Sequence, residues 1–366
     1  KKMKRKILKI LTFCLVFLII YVSFGIFGIF QVNKNNKFLF TTKEKLEFHK
    51  KYSDKMHHLR DSNRWGETEN SYLFSVINFD NTNSKTILFQ GDSWIESISE
   101  IKKSNDLLKK FGEDKKYNIY NSGITSFAPS LMHIQHKILK KDFKIKPNKL
   151  VIYIDQTDIG DEFCRYNHNK IYKKSGELER VKREKFNKAI FDYTKTYQYS
   201  ELNFSGKLIT ILKYPAIKSE YFIKRNIFQV KQIYQNGLKN RNFKKCSFRE
   251  IEKVLLRNNL KAEKSFKKSL KEYLDFLLLE SKIKNIIIVS FPHLNHHKKK
   301  YTVNVSDYID QVLDSHSDDR IEHLNMGNLS YIKENYSKIY KKDLASHLKG
   351  KYHTNLFMRE IISKIR

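Results

Sequence analysis

Apolar residues gather along this chain in two patterns of very different length. One is a single run from Ile10 to Phe30, 21 residues without a charge, which at about 1.5 Å per helical residue spans a hydrocarbon core of about 30 Å. The others are short: Lys85–Gln90, Tyr117–Tyr120, Leu150–Ile154, Asn285–Ser290 and the weaker Arg320–Leu324. Each short run stops at a glycine, a proline or a polar cluster, the pattern of buried strands. Between several of them apolar residues recur at three and four spacing, most clearly from Ile251 to Lys284, which predicts helix. Strands alternating with helices predict an α/β fold with a parallel central sheet and crossover helices.

Polar clusters follow the carboxyl ends of these strands. Gly91-Asp92-Ser93-Trp94 follows the first, Asn121-Ser122-Gly123 the second, Asp155-Gln156-Thr157-Asp158 the third and Pro292-His293 the fourth, while the fifth precedes Asp343-Leu344-Ala345-Ser346-His347-Leu348. In parallel sheets the ligand crevice lies beyond the strands' carboxyl ends, so one fold brings all five clusters together. Their chemistry is that of acyl transfer. A serine hydroxyl attacks a carbonyl only when an imidazole takes its proton and a carboxylate holds the imidazolium that forms. Gly-Asp-Ser alone is an ordinary turn or helix N-cap, and Asp-x-x-x-His alone is ordinary polar surface; their order along the chain is what singles them out.

That order resembles the SGNH, or GDSL-type, hydrolase family over roughly residues 85 to 366. The resemblance implies a flavodoxin-like three-layer sandwich, with Ser93 as nucleophile, His347 as base and Asp343 as the carboxylate behind it. It also implies an oxyanion hole from the Ser93 and Gly123 N–H groups. The family's third block normally reads Gly-x-Asn-Asp, and here Thr157 stands at the asparagine position, with one O–H donor, next to Gln156, whose amide could reach instead, and before Asp158. Losing one oxyanion donor costs about 10²–10³ in rate. Asp343 precedes His347 by four residues where three is the family's commoner spacing; positions four apart still share a helical face. His293 is expected either to line the same crevice or to be a plain turn residue.

The long run reads as a membrane anchor. It exceeds the 7–15 apolar residues of a signal peptide and no small-x-small cleavage site follows it. Lys1, Lys2, Lys4, Arg5, Lys6 and Lys9 precede it and only Lys34 and Lys37 follow closely, so the positive-inside bias puts residues 1–9 in the cytoplasm and the rest of the chain across the membrane. Residues 31–84 are expected as a stalk and approach segment, and residues 163–282 as a mostly helical insertion beside or over the crevice, rich in Lys, Tyr and Phe.

Composition changes little in this picture. The net charge of +32 favours anionic partners, but the lysines are diffuse and no nucleic-acid module appears, so no nucleic acid is expected. No Cys/His spacing reads as a zinc site and no glycine-rich phosphate loop is present, so no metal or cofactor is expected. Cys14 falls in the span; Cys164 and Cys246 lie where a disulfide is permitted but not required. The family resemblance implies an acylated envelope glycan as substrate, hydrolysis or O-acyl transfer as the reaction, and in some relatives a multi-spanning acyl-donor protein as partner. A non-catalytic protein binding an anionic polymer and a lipid esterase are the rival readings.

Overall fold

The computed structural model describes residues 2–37, 43–60, 72–182, 204–235, 248–298, 300–341 and 347–365. The chain divides into two compact units. One comprises Lys1–Lys50, Asp61–Arg64 and Lys185–Phe243; the other comprises Lys51–Arg60, Trp65–Glu184 and Lys244–Arg366.

The larger unit is built on a mostly parallel six-stranded sheet. Its strands are β1 (Ser75–Asn78), β2 (Lys85–Gln90), β3 (Tyr117–Asn121), β4 (Lys149–Ile154), β7 (Asn285–Ser290) and β8 (Ile321–Asn325), in the order β1-β3-β2-β4-β7-β8; β5 (Lys170–Tyr172) and β6 (Leu178–Val181) form a separate hairpin. β2 pairs in parallel with β3 on one side and β4 on the other, β4 with β7 and β7 with β8. The chain therefore winds from β2 to one side and then to the other, which makes the carboxyl end of β2 the topological switch point where α/β sheets open a crevice. Gly91, Asp92 and Ser93 lie there.

Helices cover both faces, which is why the central strands are nearly continuous apolar runs. Ile87, Phe89, Val151, Tyr153, Ile287 and Val289 pack on one face with Trp94, Leu108, Phe357 and Ile361 from the helices Ser93–Glu100, Lys102–Lys115 and Arg359–Ile365 and the turn before the last. Gln90, of opposite parity, is held on the other face. Its amide donates to Met132 O and Gln135 Oε1 of the helix Pro129–Asp142, and its Oε1 accepts Tyr273 Oη from the helix Leu260–Leu278.

Two segments differ from the sequence expectation. Ser75–Asn78, inside the expected stalk, is the antiparallel edge strand β1 against β3; four residues with Val76 half exposed leave no apolar run to find. Within the expected insertion, Leu260–Leu278 buries Phe266, Leu270, Tyr273, Leu274 and Leu277 and is itself a crossover helix between β4 and β7. The helix Phe204–Gln235 instead belongs to the smaller unit with the helix Lys2–Lys37. Within that N-terminal helix, Arg5–Gly28 has a mean hydropathy of 2.7 over its apolar window, long and apolar enough to cross a membrane. Cys14 is a free thiol, Cys164 is disulfide-bonded, and Cys246 lies outside the described residues.

The C-terminal segment is part of the core. Phe357 is fully buried, with its ring 5.6 Å from Trp94, 5.4 Å from Tyr153 and 6.3 Å from Phe291. Phe357→Ala is expected to destabilise the larger unit by about 3–5 kcal/mol, read as a lower urea midpoint with an unchanged m-value; an unaltered midpoint would show that the segment is only an appendage.

Candidate active site

Ser93 is the first residue of a short helix that begins where β2 ends. Asp92 caps that helix, its carboxylate accepting Trp94 N–H at 2.9 Å, as N-cap aspartates do. The turn is tight: a side-chain carbon at Gly91 would stand 2.6 Å from Ile95 Cγ1 and 3.0 Å from Tyr153 Cβ. Ser93 Oγ lies 2.7 Å from His347 Nε2 across 254 residues of chain, within the reach a base needs to take the serine's proton. Both side chains are partly exposed.

His347 is held by its backbone. Tyr340 and Leu348 form an antiparallel bridge, Lys341 N–H donates to His347 O at 2.7 Å and Lys349 N–H to Ile339 O at 3.0 Å. Asp343 lies outside the described residues.

The loop after β3 is fixed from three sides. Asn121 Nδ2 donates to Ile95 O and Ser99 Oγ in the helix Ser93–Glu100, and Asn121 Oδ1 accepts Gly123 N–H at 2.9 Å. The buried guanidinium of Arg60 donates to Gly123 O and Asn121 O, and burial lowers it to about 10 despite the carboxylate of Glu96 nearby. Glu96 in turn accepts Thr125 N–H at 2.9 Å and the Thr125 hydroxyl. Arg60 and Glu96 carry no motif, and their part in the site is visible only in the fold. A third buried group, His353, supports the helix from behind. Its Nδ1 lies 2.9 Å from Ser104 Oγ and its Nε2 3.2 Å from Trp94 O, and burial lowers its pKa to about 4, which keeps the ring neutral.

The remaining sequence candidates are placed less simply. Thr157 N–H and Oγ1 both go to Asp155 Oδ2, at 3.1 and 2.5 Å. The Gln156 amide is spent on the loop before the helix Val305–Leu313, donating to Val303 O at 2.6 Å and accepting Val305 N–H at 3.0 Å. Asp158 is fully buried, its Oδ2 accepting Asp155 N–H at 3.0 Å. His293 is 1% exposed, stacked near Tyr301, with Nδ1 accepting Asn295 N–H; it caps a turn and does not face solvent. Ser93 N–H stands at a helix N-terminus, whose first N–H groups have no intrahelical partner.

Beneath this surface lies a group of carboxyls that interact with one another: Asp92, Asp155, Asp158 and Asp161. Burial, then its neighbours' charges, pushes Asp92 and Asp158 well above the ordinary carboxylate range. Among the described residues Asp158 Oδ1 has no hydrogen-bond partner, an arrangement tolerable for a protonated carboxyl and costly for an ionised one. Among the described residues no group of His, Cys, Asp or Glu is arranged to hold a metal ion.

A Ser-His-Asp chain lies elsewhere in the larger unit. His323 Nδ1 lies 2.6 Å from Asp310 Oδ1 and its Nε2 2.8 Å from Ser290 Oγ. Ser290 is fully buried at the end of β7, so no substrate carbonyl can approach it. A surface groove of about 460 Å³, lined by Lys264, Lys267, Lys268 and Lys271, shares no residue with Ser93 and His347.

No family model matches the chain and no curated protein matches its sequence. Among solved structures it is similar to a catalytic variant of the acetylxylan esterase Axe2 from Geobacillus stearothermophilus, at 9% identity and a TM-score of 0.38 over 77% of this chain and 94% of that one. It is similar also to LAE5, an alpha/beta hydrolase enzyme from the metagenome of Lake Arreo, at 8% identity and a TM-score of 0.38 over 77% and 96% of the two chains. The acetyl xylan esterase Est2A from Butyrivibrio proteoclasticus is a third, at 9% identity and a TM-score of 0.34, covering 78% of this chain and 64% of that one.

Asp161 provides a test of the buried carboxyls. Burial pushes it up to about 7 although Arg165 pulls it down. Between the ordinary carboxylate value and about 7 the folded chain keeps a proton that the unfolded chain has released, so this group's contribution to stability falls as pH rises through that window. Asp161→Asn removes the titration. Its melting temperature relative to the parent is expected to climb between about pH 5 and about pH 8, and a difference that stays flat would show that Asp161 does not titrate there.

Proposed function

We propose that this protein is a serine ester hydrolase of the SGNH type acting on an acyl ester, an O-acetyl group on an envelope glycan. The observation that carries the reading is the 2.7 Å contact between Ser93 Oγ and His347 Nε2 at the carboxyl edge of a parallel sheet, where substrate can reach the serine. In this reading His347 takes the Ser93 proton as Oγ attacks the acyl carbon. Asp343 orients the ring and stabilises the imidazolium, a role that the motif resemblance gives it. The tetrahedral oxyanion is taken by Ser93 N–H. Gly123 N–H would join it by releasing Asn121 Oδ1, and Thr157 or Gln156 would have to give up present partners to contribute. His347 then protonates the leaving alkoxide, and water, deprotonated by the same imidazole, releases the acid.

The glycan ester comes from the motif resemblance, as does the alternative in which a sugar hydroxyl replaces water and the site transfers an acyl group. With the apolar helix Arg5–Gly28 read as an anchor whose basic flank is cytoplasmic, the catalytic unit works on the extracytoplasmic side.

The full chain in detergent is expected to react with a fluorophosphonate and to release acetate from a chromogenic acetyl ester and from an O-acetylated polysaccharide. Ser93→Ala and His347→Ala should each abolish labelling and cut kcat by about 10⁴-fold or more, and Asp343→Asn by about 10²–10⁴-fold. Turnover that survives Ser93→Ala, or a folded parent that neither labels nor turns over either ester, overturns the hydrolase reading.

A further inference from the structure

The smaller unit pairs the N-terminal apolar helix with the helix Phe204–Gln235. The contact is made where the N-terminal helix carries glycines. A side-chain carbon at Gly25 would stand 2.4 Å from Ile211 O, and one at Gly28 would stand 1.8 Å from a ring carbon of Tyr214. Small residues at such crossings let backbones approach as they do between membrane helices. Tyr21 Oη donates to Leu212 O at 2.8 Å, and the Phe24 and Tyr214 rings lie 6.2 Å apart. Pro215 stands inside the second helix. Proline has no N–H to give the carbonyl four residues back, which is Ile211 O, the group against which Gly25 lies bare.

Counted from Ile10, Gly25 and Gly28 fall roughly 22 and 27 Å into a run that covers a hydrocarbon core of about 30 Å. The crossing is therefore at the end of the span away from the basic flank. Beside it, Phe204, Leu208, Ile209, Leu212, Phe222, Ile223 and Ile227 are all exposed, from 40% at Leu212 to 82% at Phe204. At 100° per residue these positions fall within an arc of about 140° on one side of the helix. Ile211 and Tyr214, which pack against Gly25 and Gly28 of the N-terminal helix, lie outside that arc, as does the exposed Lys213. An apolar stripe this wide is what a helix turns toward a core or a lipid phase, and it continues the exposed apolar surface of the anchor.

We propose that Phe204–Gln235 is a second membrane-embedded element, docked on the anchor through Gly25 and Gly28, with the Phe204–Ile227 stripe in the phospholipid acyl chains at the far end of the span. The proposal rests on Ile10–Phe30 crossing the bilayer, and it is independent of the chemistry at Ser93. It makes this part of the expected insertion a bilayer contact rather than a wall of the substrate groove.

The test is nitroxide accessibility in the full chain with Cys14→Ser, reconstituted into phosphatidylglycerol–phosphatidylethanolamine vesicles without reductant. Labels at Leu208→Cys and Leu212→Cys are compared with Phe17→Cys in the anchor and Glu100→Cys on the other unit's surface. Leu208 and Leu212 are expected to group with Phe17, with an oxygen-to-nickel-chelate collision ratio several-fold above that of Glu100. Adding Gly25→Leu should shift both labels toward the Glu100 value and leave Phe17 unchanged. Leu208 and Leu212 grouping with Glu100 while Phe17 reads lipid overturns the docking alone. Low collision rates with both reagents, the sign of a protein surface covering the stripe, overturn the lipid assignment, and an aqueous Phe17 overturns the anchor together with the proposal.

Discussion

The site depends on one close approach, the bare backbone of Gly123 against the helix that begins at Ser93. A side-chain carbon at Gly123 would stand 2.3 Å from Glu96 N and 2.6 Å from the Ile95 carbonyl carbon, so any other residue would push the helix off the sheet edge and Ser93 with it. Asn121 binds the same helix through Ile95 O while holding Gly123 N–H, and Arg60 holds Gly123 O from the opposite side. Displacements of about 1 Å at a reacting pair can cost about 10²-fold in rate.

That arrangement has an electrostatic counterpart. The larger unit gathers carboxyl groups under the carboxyl edge of its sheet although the whole chain carries a net charge of +32. The basic side chains lie mostly in water, where screening weakens them. Asp92 and Asp158 sit in the dry interior, where burial favours the protonated form. The negative charge that Asp92 and Asp158 would carry in water is thus partly cancelled inside the fold.

The smaller unit follows a different logic. In the sequence Gly25 and Gly28 are two residues of an apolar run, and Pro215 lies within the expected insertion. In the structure the missing Pro215 N–H and the missing Gly25 side chain meet at Ile211 O, so two local defects of helix propensity become one interhelical contact.

Strand identity and order of chemistry were legible in the chain because they rest on local rules. A strand buried on both faces must be apolar, and the turn that ends it must be glycine or polar, so five parallel strands and the clusters behind them could be read directly. Ser93 and His347 stood out for the same reason. The edge strand β1, the roles of Arg60, Glu96, Asn121 and His353, and the commitment of Gln156 to Val303 and Val305 were decided only by tertiary structure. Each rests on a partner tens or hundreds of residues away or on burial that composition does not report. The sequence by itself determined which segments seek the interior and which polar clusters follow the strands. Only the packed structure decided which donors remain open, because a hydrogen bond made across the fold leaves no mark on spacing along the chain.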